Sequence, residues 1–333
     1  MIQVKPHPFE PTPERLGGTS LRAQAWRAFL ATRPRFLGAS LLPLLVGTAW
    51  ALSRGLPLDP SILLLALLAA GLVHSGANVL NDVADARSGT DPANRQRLYP
   101  YTGGSRFIQN RVMSEEAMAR LGWTLLALSL VPGLTLVALK GWMVLGLGAI
   151  GLALGLAYSL PPLWLSGRGL GEVAVALAFG VLPVLGGAWL QGAPLDGRLV
   201  LFALPPALWA AAILLINSVP DVEADALAGR LTLAVRLGPV RTARLYRGLI
   251  VAAALAVLAQ ALAGGLAPWA PLAPLLLLPL VARSGRAIAT RDGAALRPAI
   301  RATLAHHAIG CVTLAFAAAT GEESLTFLVF LLL

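Results

Sequence analysis

The chain reads Asn78-Val-Leu-Asn81-Asp82-Val-Ala-Asp85-Ala-Arg-Ser-Gly89-Thr-Asp91 at the end of an apolar run that begins near residue 61. The run is long enough to predict a membrane-spanning helix, and carboxylates are costly in hydrocarbon. Asn81 and Asp85 are four residues apart, so they share one face of that helix. Gly89 favours a helix end, which leaves Asp91 on a loop that can fold back towards the same face. The stretch therefore predicts a helix whose end gathers several oxygen ligands.

Oxygen ligands without clustered Cys or His suit Mg²⁺, which keeps part of its water and binds phosphate oxygens of a substrate. The alternative is an acidic helix end that only stops the membrane span, because charges are common there. A second stretch favours the metal site, since Asn217-Ser-Val-Pro-Asp221-Val-Glu-Ala-Asp225 also follows an apolar run and spaces two carboxylates by four residues. Gly229 and Arg230 close this second element. Together the two stretches predict a pair of acidic helix ends that bind divalent metal.

Composition places both stretches in a polytopic membrane protein. The chain has 333 residues, of which 57% are hydrophobic and 13% charged, and apolar runs near span length recur along it. A formal net charge of +10 would favour nucleic acid as the partner of a soluble protein. Here the position of the basic residues relative to the spans explains the charge, so we expect no nucleic acid partner. The single cysteine, Cys311, excludes an intrachain disulfide.

Hydropathy predicts an all-α bundle of nine transmembrane helices around a cavity that opens to the cytoplasmic face. The predicted spans are 34–53, 61–84, 114–138, 141–160, 170–190, 199–219, 243–264, 267–283 and 300–320. Residues 1–33 contain acids and prolines but no continuous apolar segment, so we expect a cytoplasmic amino-terminal arm rather than a signal peptide. Residues 34–323 then form the nine-helix domain, and the apolar tail 324–333 is too short to cross the bilayer.

The distribution of basic residues predicts the orientation. Of the 26 Lys and Arg residues, 23 fall on the arm or on alternate loops, and only Arg54, Lys140 and Arg198 fall on the other side. By the positive-inside rule the amino terminus is cytoplasmic, in what we expect to be a bacterial inner membrane. Spans two and six both run towards the cytoplasm, so both acidic stretches emerge on that face. Facing each other across a cavity, they would hold Mg²⁺ ions that bind a diphosphate between them.

Further polar residues follow each stretch. The loop after the first carries Arg95, Arg97 and Tyr101-Thr-Gly-Gly-Ser-Arg106, where glycines and a guanidinium can approach phosphate oxygens. The alternative is an ordinary turn with juxtamembrane positive charge. Tyr158 and Arg168 flank a turn rich in proline and glycine, where they either point into the cavity or serve as interface and topology residues.

Two more ionisable residues have a structural explanation. Glu172 begins the fifth predicted span, where an acid suits the helix dipole without a catalytic role. His74 lies one turn before Asn78 on the same face, and it either hydrogen-bonds within the bundle or contacts a polar substrate.

Over nearly the whole chain, these motifs resemble the UbiA superfamily of intramembrane aromatic prenyltransferases. Members pair an Asn-x₃-Asp-x₃-Asp motif after the second helix with an Asp-x₃-Asp motif after the sixth. Here Asn81 and Asp85 match the first motif, but its third position is Gly89 and the acid follows as Asp91. This form, followed by Thr-Gly-Gly-Ser-Arg at 102–106, is similar to the menaquinone branch, the 1,4-dihydroxy-2-naphthoate prenyltransferases. Also similar to that branch are Tyr158-Ser-Leu-Pro-Pro, Gly169-Leu-Gly-Glu172 and the run 221–238.

The resemblance implies Mg²⁺-dependent transfer of a polyprenyl group from polyprenyl diphosphate to an aromatic acceptor, within the lipid bilayer. It implies Asp85, Asp221 and Asp225 as catalytic residues. The implied metal ligands are Asn81, Asp85, Asp91, Asp221 and Asp225. The residues expected at the diphosphate are Arg95, Arg97, Arg106, Arg168 and Arg230, and those expected at the substrates are Asn78, Asp82, Tyr158 and Asn217.

The chain departs from the family pattern mainly in its expected diphosphate contacts. Many relatives have Tyr-x₃-Lys where this chain has Tyr158 and Pro162, so Arg168 is the candidate replacement for a missing lysine. The usual arginine before the second acidic motif is Pro220. The usual lysine after that motif is Arg230, which keeps the charge but changes its geometry.

Other functions remain as alternatives. The run Asp82-x-x-Asp85-Ala-Arg87 looks like part of the CDP-alcohol phosphotransferase signature, but the glycine that should follow the second Asp is absent. An ion-coupled transporter would place its acids mid-membrane within broken helices, rather than at one face beside long basic loops. Within the prenyltransferases, 4-hydroxybenzoate, homogentisate, a chlorophyllide and haem are alternative acceptors.

Overall fold

The structure, a computed structural model, describes residues 8–320, and within that range all regular secondary structure is helical. Eight of its helices are long and apolar enough to cross a membrane: Pro34–Ser53, Pro60–Arg87, Glu115–Lys140, Trp142–Ser159, Gly171–Leu190, Gly197–Asn217, Leu233–Leu262 and Gly293–Thr320. This confirms the predicted polytopic helical bundle. Residues 1–7 of the predicted arm, 321–323 of the predicted domain and the whole predicted tail 324–333 lie outside the described residues.

The helices are numbered along the chain. The arm contains α1 (Pro13–Leu16) and α2 (Leu21–Ala31). The bundle and its connections contain α3 (Gly38–Ser53), α4 (Pro60–Arg87), α5 (Thr90–Ala93), α6 (Glu115–Lys140), α7 (Trp142–Ser159), α8 (Gly171–Ala176), α9 (Leu182–Leu190), α10 (Gly197–Phe202), α11 (Leu204–Asn217), α12 (Val222–Leu227), α13 (Leu233–Leu262), α14 (Leu272–Leu276), α15 (Leu278–Thr290) and α16 (Gly293–Thr320). A π-helical turn, Leu177–Val181, joins α8 to α9 within one span.

The predicted eighth span, 267–283, is divided between α14 and α15. Proline has no backbone N–H and interrupts the hydrogen bonds of a helix, and Pro271, Pro274 and Pro279 lie in this segment. Helix α15 packs against α13 and α16, so the segment is part of the bundle. The count of nine spans stays a prediction, while the other eight predicted spans correspond to the eight helices named above.

Helices α3 and α9 approach each other closely because both carry a glycine at the contact. A Cβ on Gly47 would overlap the backbone carbonyl of Val184, and one on Gly187 would overlap that of Leu44. Small residues of this kind let the backbones of two membrane helices come into contact. The contact fixes two of the helices that surround the cavity described below.

The ends of α4 and α11, which carry the two acidic stretches, meet at the same end of the bundle. Asp59 begins α4 by accepting hydrogen bonds from the backbone N–H groups of Ser61 and Ile62. After α4, Gly89 adopts the left-handed conformation with φ of 81°, and α5 follows directly. Helix α5 packs against α12, the helix that comes after α11. The turn at Gly89 thus directs the first acidic stretch towards the second.

Candidate active site

A cavity of about 540 Å³ lies within the bundle, and most of its wall is apolar. Helices α6 and α7 contribute aliphatic side chains such as Leu134, Val137 and Leu147. Much of the polar part of the wall comes from the end of α4, from α5 and the loop after it, and from the segment 217–232. All five residues predicted as metal ligands line this cavity: Asn81, Asp85, Asp91, Asp221 and Asp225. Three of the four predicted substrate residues also line it: Asn78, Tyr158 and Asn217.

Arg230 joins the two acidic stretches. Its Nη1 lies 2.8 Å from Oδ1 of Asp85 and 3.7 Å from Oδ1 of Asp225. The residue is buried and lines the cavity. Burial opposes its charge, but Asp85, Tyr158 and Asp225 outweigh that effect and raise the pKa of Arg230 above its usual range. The guanidinium is therefore a fixed positive charge between the two groups of carboxylates.

Asp221 is held by the loop that follows α5. The side-chain Nδ2 of Asn94 donates a hydrogen bond to Oδ1 of Asp221 at 2.5 Å. Burial raises the pKa of Asp221, while hydrogen bonds from Asn94, Thr102 and Gly103 oppose the shift. Burial likewise raises the pKa of Asp225 to about 7, against the opposing charge of Arg230. Both carboxylates therefore lie where an additional positive charge would stabilise their ionised form.

Asp91 is a buried acid of α5, outside the spanning helices. Gln109 Nε2 donates a hydrogen bond to its Oδ2 at 3.2 Å, and Arg106 Nη1 donates to its backbone carbonyl at 2.8 Å. Gly104 lies against the carboxylate with φ of 71°, and a Cβ at this position would overlap Asp91 Oδ2. Burial, followed by the charge of Asp85, raises the pKa of Asp91 well above its usual range. The Gly-Gly motif of the loop thus allows the backbone to pass next to the carboxylate.

Asp82 does not line the cavity, unlike the other predicted substrate residues. Its Oδ2 accepts a hydrogen bond from the backbone N–H of Ser105 at 2.9 Å, and its Oδ1 lies 3.5 Å from Arg33 Nη1. Asp82 therefore holds the loop through Ser105, on the side away from the cavity. This geometry provides no direct contact between Asp82 and a substrate in the cavity. Its partner Arg33 does line the cavity.

Arg97 and Arg106 were expected at the diphosphate, but neither lines the cavity. The guanidinium of Arg97 forms a buried ion pair with Glu10, with Nε 2.9 Å from Oε1. That of Arg106 is buried against the backbone carbonyl of Asp91. Both guanidiniums are therefore engaged by protein groups that hold the loop in place.

The predicted diphosphate residues Arg95 and Arg168 are exposed and lie outside the cavity wall as well. Arg168 Nη2 donates a hydrogen bond to the carbonyl of Pro162 at 2.8 Å, within the proline-rich turn itself. Of the five arginines expected at the diphosphate, Arg230 alone lines the cavity.

Arg33, His74 and Glu172 line the cavity but are not among the site residues predicted from the sequence. The positive-inside rule explains Arg33 only as one of the basic residues that set topology, and the helix dipole explains Glu172 without a site role. Glu172 is 7% exposed and lines the cavity. His74, for which two roles were left open, also lines it, and its Nδ1 shares a hydrogen bond with Ser40 Oγ at 2.7 Å. For Glu172, the sequence signal is its place directly after the glycine-rich turn Gly169-Leu-Gly171.

The oxygen donors in the cavity wall fit Mg²⁺ as part of a larger coordination shell. The described residues contain no group of three or more Asp, Glu, His or Cys side chains that could hold a metal ion by themselves. Within residues 8–320, however, Oδ1 of Asn217 and Oδ1 of Asp225 are buried without a hydrogen-bond partner. Mg²⁺ takes hard oxygen ligands and usually completes its shell with water and substrate phosphate. Carboxylate and amide oxygens at this cavity therefore match its preference.

Comparison with known proteins gives the family. The family model described as the UbiA prenyltransferase family matches residues 40–305. The 1,4-dihydroxy-2-naphthoate octaprenyltransferase of Escherichia coli is 32% identical over 292 residues, which cover 85% of this chain and 91% of that protein. The enzyme of the same name from Mycobacterium tuberculosis is 31% identical over 293 residues, which cover 88% of this chain and 96% of that protein.

A solved structure shares the fold. The UbiA homologue from Archaeoglobus fulgidus bound to GPP and Mg²⁺ matches with a TM-score of 0.56 at 18% identity, over 88% of this chain and 99% of that chain. At this identity the likeness concerns the fold alone. With the family match over most of the chain and the helices that are long enough to cross a membrane, the conclusion is that this chain belongs to the UbiA prenyltransferase family and is a multi-pass membrane prenyltransferase.

Proposed function

We propose that this enzyme transfers a polyprenyl group from polyprenyl diphosphate to 1,4-dihydroxy-2-naphthoate, with Mg²⁺ as cofactor, in menaquinone biosynthesis. The observation that carries the proposal is the meeting of two acidic stretches at a cavity whose remaining wall is mostly apolar. Such a cavity suits a ligand with an anionic head and a hydrocarbon tail. The activity named for the relatives from E. coli and M. tuberculosis supports the choice of acceptor.

The anionic head belongs at the acidic end of the cavity. The residues that would hold the metal there are Asn81, Asp85, Asp91, Asp221 and Asp225, all of which line the wall. Among these, we assign the catalytic role to Asp85, Asp221 and Asp225. Asp85 and Asp225 form ion pairs with Arg230, and the charge of Arg230 also acts on Asp221. When bound, Mg²⁺ would neutralise negative charge on the diphosphate as the allylic C–O bond breaks.

Arg230 is the residue that we assign to the diphosphate itself. A guanidinium presents parallel N–H donors that match two oxygens of one phosphate, and it keeps its charge when buried. Its ion pairs with Asp85 and Asp225 hold the group in the cavity wall. Arg106 supports the same site indirectly, because it fixes the backbone of Asp91.

The apolar wall protects the reaction. Departure of the diphosphate leaves an allylic cation that water would capture, and a cavity lined by aliphatic side chains keeps water away. Residues such as Leu134, Val137 and Leu147 supply this lining. The same surface accommodates the prenyl chain by burying hydrocarbon.

The acceptor needs polar partners of its own. Glu172 and His74 line the cavity, and Phe179 lies beside the imidazole with ring centroids 4.6 Å apart. An aromatic acceptor with two hydroxyl groups can stack on such a ring and donate hydrogen bonds to a carboxylate or an imidazole. We therefore assign Glu172, His74 and Phe179 to the acceptor, together with Tyr158.

The deciding experiment uses purified protein in lipid nanodiscs with radiolabelled polyprenyl diphosphate and Mg²⁺. With 1,4-dihydroxy-2-naphthoate we expect a prenylated, decarboxylated product and release of diphosphate. Parallel reactions contain 4-hydroxybenzoate or homogentisate. Product from one of these but not from the naphthoate would overturn the acceptor assignment, and product from none of a full acceptor panel would overturn the proposed function.

We also propose that the acidic end of the cavity faces the cytoplasm of a bacterial cell. The native Cys311 is buried, so single cysteines introduced at exposed sites can be labelled selectively. Arg95→Cys lies on the loop after the first acidic stretch, and Arg54→Cys lies in the connection between α3 and α4. An impermeant maleimide added to intact spheroplasts is expected to label Arg54→Cys only. The reverse pattern would overturn the orientation.

A further inference from the structure

Glu10 lies in the arm before α1, yet it is only 1% exposed. Its carboxylate accepts two hydrogen bonds from Arg97, at 2.9 Å from Nε and 3.3 Å from Nη2. Asn110 Nδ2 donates to the same carboxylate at 3.3 Å and to the backbone carbonyl of Pro11 at 2.9 Å. Since Arg97 and Asn110 lie near opposite ends of the loop that joins α5 to α6, the arm ties both ends of that loop together.

Arg97 in turn contacts the part of the loop that faces the cavity. Its Nη1 donates to the backbone carbonyl of Asn94 at 3.1 Å, and Asn94 Nδ2 donates to Asp221 at 2.5 Å. The Arg97 side chain also packs against Gly103, where a Cβ would lie 2.7 Å from Arg97 Cβ. Gly103 lines the cavity. A series of direct contacts therefore leads from Glu10 through Arg97 to a proposed metal ligand.

The ion pair is buried on both sides. The side chain of Glu10 is 1% exposed and that of Arg97 is 9% exposed. Removing one member of such a pair leaves the other as an uncompensated buried charge. Among the ion pairs of the described residues, Arg97 has no carboxylate partner other than Glu10. Loss of the Glu10 charge would therefore force the side chain of Arg97 to move. Its contacts with Asn94 and Gly103 would move with it.

We propose that Glu10 is a positioning residue of the active site: acting through Arg97, it orders the loop 94–104 so that Asn94 and Gly103 meet Asp221. The proposal rests on the proposed function, which assigns Asp221 to the metal that binds the diphosphate. Glu10 itself touches no substrate. Its influence is therefore on the binding of the diphosphate and Mg²⁺, and not on the acceptor.

The test is a double-mutant cycle of Glu10→Gln, Arg97→Gln and the double variant, with Glu14→Gln as a matched control. Glu14 is an exposed glutamate of the same arm. We expect Glu10→Gln to raise the KM for polyprenyl diphosphate about tenfold, as for other outer-shell supports of a metal site, with the KM for the acceptor unchanged. The double variant should be no worse than the poorer single variant, because both changes break one contact.

Hydrogen exchange of residues 94–104, measured without any substrate, tests the same proposal independently of activity. We expect faster exchange in Glu10→Gln and Arg97→Gln than in the parent protein and in Glu14→Gln. Unchanged exchange and an unchanged KM for polyprenyl diphosphate in folded Glu10→Gln would overturn the positioning role. Equal impairment of kcat and of the KM values for both substrates would also overturn it. If the parent protein transfers no prenyl group at all, the proposed function fails, while the exchange result still shows whether the arm orders the loop.

Discussion

Arg230 Nη1 lies 2.8 Å from Asp85 Oδ1, although 145 residues separate the two in the chain. Asp85 is close to the end of α4, and Arg230 follows α12, so this ion pair connects the two acidic stretches directly. Both side chains are largely buried. In such surroundings a charge pair is strongly coupled, and truncating either partner leaves the other without compensation.

Replacement of Arg230 is expected to damage both binding and stability. For Arg230→Met we predict a loss of about a hundredfold in kcat/KM for polyprenyl diphosphate, comparable to the removal of one transition-state hydrogen-bond donor. Arg230→Lys keeps the charge but loses the planar fork, so a smaller loss of about tenfold is expected. Steady-state kinetics in nanodiscs, with thermal unfolding of the same samples, measure the two effects. Normal kcat/KM in a folded Arg230→Met variant would contradict the assignment.

Asp85→Asn and Asp221→Asn are expected to abolish prenyl transfer while the protein still inserts into the membrane. Each change removes a charged oxygen ligand but keeps size and polarity, and we predict a loss of at least about a hundredfold in kcat. Glu223→Gln is the matched control, since Glu223 is an exposed acid in the same second stretch as Asp221. Radiolabelled product formation measures the activity. Near-normal turnover in either aspartate variant would exclude a metal site shared by both stretches.

Much of this arrangement could be predicted because it depends on local patterns. Apolar run length predicted eight spans that correspond to helices, and the four-residue spacing of Asn81 and Asp85 put both on the cavity face of α4. The eighth predicted span was harder, because mean hydropathy does not register that prolines divide 267–283 into α14 and α15. Periodicity thus identifies a face of a helix, while the interruption of a helix within an apolar segment depends on backbone hydrogen bonding.

The partners of the arginines could not be predicted, because they depend on tertiary contacts. Arg97 and Arg230 both follow an acidic stretch, yet one is paired with Glu10 of the arm and the other with Asp85 in the cavity. The separations in sequence are 87 and 145 residues, and no local pattern links such positions. Arg33 shows the reverse case. The positive-inside rule explains it only as a basic residue that sets the orientation, yet its side chain lines the cavity.

Gly104→Ala is expected to weaken Mg²⁺ binding. Alanine at a φ of 71° costs about 1–2 kcal/mol in any context, and here its Cβ would also displace the Asp91 carboxylate. Gly55→Ala is a matched control, since Gly55 has φ of 76° but no atom within 4 Å of the added Cβ. We predict that the Mg²⁺ concentration for half-maximal activity rises about tenfold in Gly104→Ala only. An equal change in both variants would mean that backbone strain alone is responsible.

Removal of divalent metal is expected to stop the reaction reversibly. The proposed ligands are all carboxylate or amide oxygens, so Mg²⁺ should restore activity after treatment with EDTA. Ca²⁺ should restore much less, since it prefers more ligands at longer distances. Diphosphate release and product formation, followed over a Mg²⁺ titration, measure the effect. Full activity in the presence of excess EDTA would contradict the cofactor assignment.

The variant Glu172→Gln distinguishes two roles of this carboxylate, namely stabilisation of the helix start and binding of the acceptor. If the carboxylate only favours the start of its helix, the change should cost about 0.5–1 kcal/mol of stability and leave the kinetics intact. The cavity position predicts instead a loss of about a hundredfold in kcat/KM for the acceptor, because an amide accepts a proton from a ring hydroxyl far less readily than a carboxylate. The KM for polyprenyl diphosphate should not change.

Glu116→Gln provides the matched control for Glu172→Gln, because Glu116 is also an acid in the first turn of a spanning helix but is exposed. Both variants remove one charge from a helix start, so a dipole effect would lower the thermal stability of both. Kinetics with the acceptor varied at saturating polyprenyl diphosphate then isolate the role of the cavity. A loss confined to Glu172→Gln assigns its carboxylate to the acceptor, and equal kinetics in both variants would return it to the helix dipole alone.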